Sequence, residues 1–142
     1  MRLSFTPARV AHAHCDIPCG IYDPAQARIE AESCYKIIEK YHGSDDEVFR
    51  QRCIQVKEER AELAKHHLDV LWHDYFTPEH LKQMPDLHQL FWQAARQCST
   101  VKQGVDLQEA RALLALIDRV DEAWRKTGGP EKTRMTSTGK AA

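Results

Sequence analysis

The sequence predicts an all-α protein, an up-down-up-down antiparallel four-helix bundle preceded by a short cysteine-bearing amino-terminal segment. Three observations carry that expectation. Four stretches repeat their apolar residues at helical spacing, each is bounded by residues that start and stop helices, and no stretch alternates as a strand would. Connections between the four are short, which favours antiparallel neighbours. With 142 residues the chain has room for one domain with a real core.

The first helix opens at Asp23-Pro24, where the aspartate caps, the proline fits the first helical position and Gln26 completes a capping box. Ala27, Cys34, Ile37, Ile38 and Tyr41 keep the helical period until Gly43 ends it. The second is expected from Ser44, with Glu47 as its box partner, through Val48, Phe49, Val56, Leu63, Leu68, Leu71 and Tyr75, stopping before Thr77-Pro78. A short helical turn follows Pro78. Pro85 then opens a third long helix with Leu87, Leu90, Phe91, Ala94, Cys98 and Val101 on one stripe, closed by Gly104. The fourth starts at Asp106 with Glu109 and carries Ala110, Leu113, Leu114, Ile117, Val120 and Trp124 before Gly128-Gly129.

Composition narrows the function. Hydrophobic residues make up 42%, charged residues 29%, and the formal charge is -1. That balance describes a soluble globular protein with no apolar run for a bilayer and no basic field for nucleic acid, since the only Lys/Arg-enriched stretch is the short tail from Arg125 to Lys140. The five cysteines are odd in number, so a disulfide framework is not expected. Cys34, Cys53 and Cys98 fall on or beside apolar stripes and read as buried hydrophobes.

Residues 1–13, MRLSFTPARVAHA, hold two arginines and no acid but lack the apolar region of an export signal. They read as a cleaved leader, with a hook-and-bundle domain over residues 14–126 and a flexible tail over 127–142. Losing Arg2 and Arg9 leaves 18 basic residues against 21 acidic, a net charge of -3.

The segment His14-Cys15-Asp16-Ile17-Pro18-Cys19 acquires a specific chemistry if the chain is cut after Ala13. The new α-amine and the backbone nitrogen of Cys15 close a five-membered ring on a metal, and the same nitrogen with the Cys15 sulfur closes a second. Cys19, returned by the Asp16-Ile17-Pro18 loop, offers a fourth in-plane ligand, and the His14 imidazole reaches an axial position. Two nitrogens and two sulfurs in a plane suit Ni(II) or Cu(II), whereas zinc takes a tetrahedron. An α-amine, with a pKa of about 7.7 to 8.0, loses its proton to a metal near neutral pH. An internal amide cannot replace it, so the leader acts as a lock.

The stretch from His14 to Pro24, HCDIPCGIYDP, resembles the nickel hook of nickel-dependent superoxide dismutases, differing from the usual pattern only in the aliphatics Ile17 and Ile21. The likeness continues through PAQARIEAES and KEERAELAKHHLDVLWHDYF to LHQL, and is looser from Phe91 onward. The resemblance implies a homohexamer of four-helix bundles, one nickel ion per chain, and conversion of superoxide to dioxygen and hydrogen peroxide. It implies His14 (amine and imidazole), Cys15 (amide nitrogen and thiolate) and Cys19 (thiolate) as metal ligands. Glu30 and Arg60 match the pair that holds the axial imidazole, Tyr22 matches the tyrosine at the mouth, and Asp16 lies nearby in the loop.

The chemistry is consistent with that implication. Two thiolates and an amidate set three negative charges around the ion and lower the cost of the +3 state that one-electron cycling needs. A carboxylate bonded to the imidazole orients it and makes it more basic. Water, a coordinated thiol and the Tyr22 hydroxyl are the candidate proton sources. With the net charge mildly negative, steering of superoxide falls to local cations such as Arg60 or Lys65.

Two other classes stay in play on residues alone. The same hook serves a nickel or copper carrier without turnover, and Cys15 with Cys19 serves a reversible disulfide switch. His66, His67, Glu62 and His73 lack the paired Glu-x-x-His arrangement of a di-iron bundle and read as hydrogen-bonding groups. Trp72, Phe91, Trp92 and Trp124 read as core or subunit contacts. A cytoplasmic enzyme, matured by a processing protease, is the expectation.

Overall fold

The computed structural model describes residues 20–129. The leader, the ligand residues His14, Cys15 and Cys19, the loop residue Asp16, and the tail beyond Gly129 lie outside the described residues.

Four long helices form the bundle: α1 (Ala25–His42), α2 (Glu47–Val70), α4 (Leu87–Gln103) and α5 (Leu107–Lys126). A π-helical turn, Leu71–Tyr75, extends α2, and a six-residue helix α3 (Pro78–Gln83) bridges to α4. Helix contacts run α1 to α2, α2 to α4, α4 to α5 and α5 back to α1, closing a square. Side-chain pairs set the directions. Glu30 meets Arg60 and Cys34 meets Lys57, Lys57 meets Val101, Gln97 meets Glu109, and Arg28 meets Asp118 while His42 meets Val105. Along α1 and α2, and along α1 and α5, one residue number rises as the other falls; Trp72 beside Phe91 at one end and Lys57 beside Val101 at the other give the same sense for α2 and α4, and α4 and α5 are joined by residues 104–106 alone, so all four neighbours are antiparallel.

The expected start holds for α5; α1 begins at Ala25 with Pro24 in the cap position, α2 begins behind Asp46, and α4 begins at Leu87, two residues after Pro85. Asp23 Oδ1 accepts from the Ala25 amide at 2.8 Å, and Asp106 accepts from Gln108 at 2.7 Å. Ser44 does not cap α2. Asp46 does, accepting from the amides of Val48 and Phe49, while the Ser44 hydroxyl accepts from the Asp46 amide and shapes the turn before it. Glu109 serves its neighbour: its carboxylate accepts from Gln97 Nε2 at 2.6 Å and ties α5 to α4.

The core face of α2 also differs from expectation. Val48 is 75% exposed, and Phe49 and Leu63 are exposed as well. The buried positions are Cys53, Lys57, Ala61, Ala64, Leu68 and Leu71. Small residues face small residues here, with Ala27 and Ala31 of α1 buried beside Ala61 and Ala64 of α2. Two helix backbones approach closely only where side chains are short, so packing selects the alanine face over the larger apolar one.

Lys57 explains how a charged residue enters that face. It is 2% exposed, and its Nζ donates to the carbonyls of Val101 at 2.8 Å and Lys102 at 2.5 Å. Those are carbonyls of the last turn of α4, so the ammonium satisfies acceptors the helix leaves open and sits at the negative end of its dipole. Burial holds its pKa below the ordinary lysine value.

Candidate metal centre

The described chain enters at Gly20, immediately after Cys19, with φ +68. That left-handed conformation favours glycine, and it turns the chain toward α1. Two residues on, the half-buried Tyr22 packs against the core. Asp23 then accepts from the first amide of α1, whose first two turns carry the chain to Glu30.

Glu30 stands on the α2-facing side of α1. Its side chain is 14% exposed, and Arg60 Nη1 donates to Oε2 at 3.2 Å and Oε1 at 3.5 Å. A single guanidinium nitrogen occupies only part of a carboxylate with about four lone-pair sites, so Glu30 keeps capacity to accept from an imidazole N–H. The two residues expected to work together are thus brought into contact, across two helices and thirty positions of sequence. Arg60 takes this long-range partner in place of an ion pair within its own helix.

His67 lies two helical turns beyond Arg60. Burial and the neighbouring His66 imidazole hold its pKa below the usual histidine value, with the Glu30 carboxylate opposing them. One turn past Glu30, the Cys34 thiol donates to the Lys57 carbonyl at 3.5 Å and is fully buried. Burial pushes its pKa up to about 12, and that of Cys98 likewise to about 12. Cys53 is buried as well. The three cysteines are core residues, as their apolar spacing predicts.

The remaining histidines have local employment. His73 Nδ1 bonds the Asp69 carbonyl at 2.7 Å, Glu62 pairs with Lys102, and the rings of His66 and His67 are 5.3 Å apart. Among the described residues no three His, Cys, Asp or Glu side chains converge as a metal site. Trp124 and Phe91 are buried, while Trp92 is 55% exposed.

Tyr75 is the residue whose place beside Tyr22 periodicity did not reveal. Placed at the end of the α2 stripe, it reads as core, yet its ring centroid lies 5.9 Å from that of Tyr22 at an interplanar angle of 54°. The π turn that swings it there is closed by the Phe76 amide donating to the Leu71 carbonyl at 3.1 Å. The one available signal was a phenol at a core position, since a buried Tyr hydroxyl seeks a partner that a Phe would not need. No sequence pattern announces a π turn.

A four-helix bundle with a half-buried Glu–Arg pair and a packed tyrosine pair, following in sequence a stretch rich in His and Cys, has the architecture of a helical-bundle metalloprotein. The sequence model of nickel-containing superoxide dismutases matches residues 9–128. The chain is 49% identical over 123 residues to the nickel superoxide dismutase of Streptomyces seoulensis, covering 87% of this chain and 94% of that protein. It is 47% identical, with the same coverage, to that of Streptomyces coelicolor (strain ATCC BAA-471 / A3(2) / M145). The native 1.30 Å structure of a nickel superoxide dismutase superposes with a TM-score of 0.80 at 47% identity, covering 82% of this chain and all of the other. The chain belongs to the nickel-containing superoxide dismutase family. It is accordingly an oxidoreductase acting on superoxide, with nickel as its metal.

Proposed function

We propose that this chain dismutates superoxide with one nickel held by the amine and imidazole of His14, the amide nitrogen and thiolate of Cys15 and the thiolate of Cys19, after a protease removes residues 1–13. The donor set fits the metal, because two thiolates with an amine and an amide nitrogen would suit nickel and lower the cost of its higher oxidation state. When bound, nickel supplies one-electron chemistry in both directions, so that two superoxide anions and two protons become one dioxygen and one hydrogen peroxide.

The protein's own groups do the rest. Arg60 holds Glu30 in place, and Glu30 accepts from the His14 imidazole and fixes its tautomer and orientation. Tyr22, with Asp16 in the loop before it, stands at the mouth, orders water there and excludes larger anions. The observation that carries this reading is the Glu30–Arg60 contact at 3.2 Å, because it sets the two expected orienting residues together at the start of the bundle.

The exposed apolar side chains Val48, Phe49 and Trp92 support assembly of several copies, which we take as a homohexamer. No described helix is long and apolar enough to cross a membrane, and we place the enzyme in the cytoplasm. We divide the chain into a leader 1–13, a hook and bundle 14–126 and a tail 127–142. Its first tail residues, 127–129, also form the cap of α5.

Cys19→Ser tests the ligand assignment. It is expected to abolish superoxide consumption and nickel retention while the far-ultraviolet circular dichroism stays that of the parent. Normal turnover in this variant refutes the assignment.

A further inference from the structure

The C-terminal turn of α5 is built around the hydroxyl of Tyr75, a residue about fifty positions earlier in the chain. Thr127 Oγ1 lies 2.9 Å from the Trp124 carbonyl and 3.1 Å from the Ala123 carbonyl. Carbonyls only accept, so the threonine commits its single proton to them. Its 3.0 Å contact with the Tyr75 hydroxyl is therefore one in which the tyrosine donates. The two carbonyls that compete for the single phenol proton, of Trp124 and Thr127, lie farther off at 3.3 Å, so the threonine hydroxyl is its nearest acceptor.

The position of Thr127 is itself imposed. The Gly128 amide donates to the Arg125 carbonyl at 3.2 Å and the Gly129 amide to the Trp124 carbonyl at 2.9 Å, the paired bonds of a Schellman ending. Gly128 has φ +103, where L side chains are strained. A Cβ on Gly129 would lie 2.2 Å from the Trp124 indole. The chain thus crosses the face of Trp124, whose ring centroid is 6.4 Å from that of Tyr75, and Tyr75 in turn lies against Tyr22.

We infer that Thr127 is a positioning residue for the tyrosine pair: by accepting the Tyr75 proton it clamps the Tyr75 ring against Tyr22 and so fixes where the Tyr22 hydroxyl stands. The inference rests on the reading of Tyr22 as the residue at the mouth of the nickel site. Tyr75 acts here through Tyr22, and Thr127 through Tyr75.

The test uses the full mature chain with tyrosines carbon-13 labelled at Cζ, first without nickel and then loaded. Thr127→Val keeps the side-chain shape and removes the nearest acceptor, leaving only the two longer carbonyl contacts. It is expected to shift the Cζ resonances of both Tyr75 and Tyr22 in the nickel-free protein, and to lower kcat/KM about fivefold at unchanged nickel content, the scale of one lost hydrogen bond. Thr127→Ser restores both readouts. Tyr75→Phe removes the same proton from the other side, and its loss in kcat/KM does not add to that of Thr127→Val.

An unmoved Tyr22 resonance in Thr127→Val, or additive losses in the double variant, overturns the inference and leaves the reading of Tyr22 intact. Tyr22→Phe separates the remaining cases. If it slows turnover while Thr127→Val, with its resonances shifted, does not, the inference fails alone. If both run at the parent rate, the mouth reading fails and the inference falls with it.

Discussion

Arg60 is 39% exposed and its partner Glu30 only 14%, an asymmetry that separates two effects of removing the arginine. An ion pair open to water on one side contributes little to folding, on the order of 0–1 kcal/mol, so Arg60→Gln is expected to unfold close to the parent temperature. If Glu30 holds the imidazole as proposed, loss of Arg60 is expected to weaken nickel retention or activity by about tenfold to a hundredfold. Metal titration beside thermal unfolding checks both halves, and a large drop in melting temperature with unchanged nickel affinity contradicts the assignment. The buried thiols allow a second prediction. Cys34 and Cys98, with folded pKa values near 12 against an ordinary 9.0, stay protonated and unreactive toward a thiol reagent in the native chain and react only on unfolding. Because folding raises these pKa values, the stability they contribute is intact below about pH 9 and is lost as pH rises toward 12. Denaturant midpoints measured from pH 8 upward should fall in that window, and a Cys34→Ala, Cys98→Ala chain should fall less.

At the scale of elements, stability is concentrated where helix ends are satisfied from elsewhere in the fold. Lys57→Met keeps the length of the side chain but strips the Val101 and Lys102 carbonyls of their donor, and is expected to cost about 1–3 kcal/mol, read from urea midpoints. A variant as stable as the parent would show that water replaces the ammonium at that helix end. Much of this layer was legible in the sequence. The Asp23, Asp106, Gly43 and Gly104 signals mark helix ends correctly because capping is local chemistry, set within a few residues. Register on α2 was not legible: Val48, Phe49 and Leu63 outrank Ala61 and Ala64 on any hydrophobic scale, and only the close approach of α1 makes the alanines the buried face. The Glu30–Arg60 contact was anticipated through resemblance alone, since nothing in either residue's own neighbourhood specifies a partner thirty positions away. The contact between Tyr75 and Thr127 was not legible for the same reason, because a π turn and a helix end meet only in three dimensions.

On the scale of the whole molecule, the bundle and the hook are expected to be energetically separable. The core draws on Ile38, Leu68, Leu113, Ile117 and Trp124, all within residues 20–129 and nearly fully buried, so folding of the helices does not wait for the metal. A His14→Pro chain, in which the cut is blocked, is expected to show parent-like helicity and no superoxide consumption; full activity in the uncut chain would remove the lock from the account. With the proposed leader removed the net charge is -3, which gives superoxide no long-range attraction, so local cations such as Arg60 and Lys65 must carry any steering, and kcat/KM should fall with ionic strength if they do. Everything else depends on a freed terminal nitrogen completing the ligand set. Intact mass spectrometry of the active protein under native conditions tests that most directly: a chain beginning at His14 and carrying one nickel is the predicted species, and active protein that begins at Met1 or carries no nickel would contradict it.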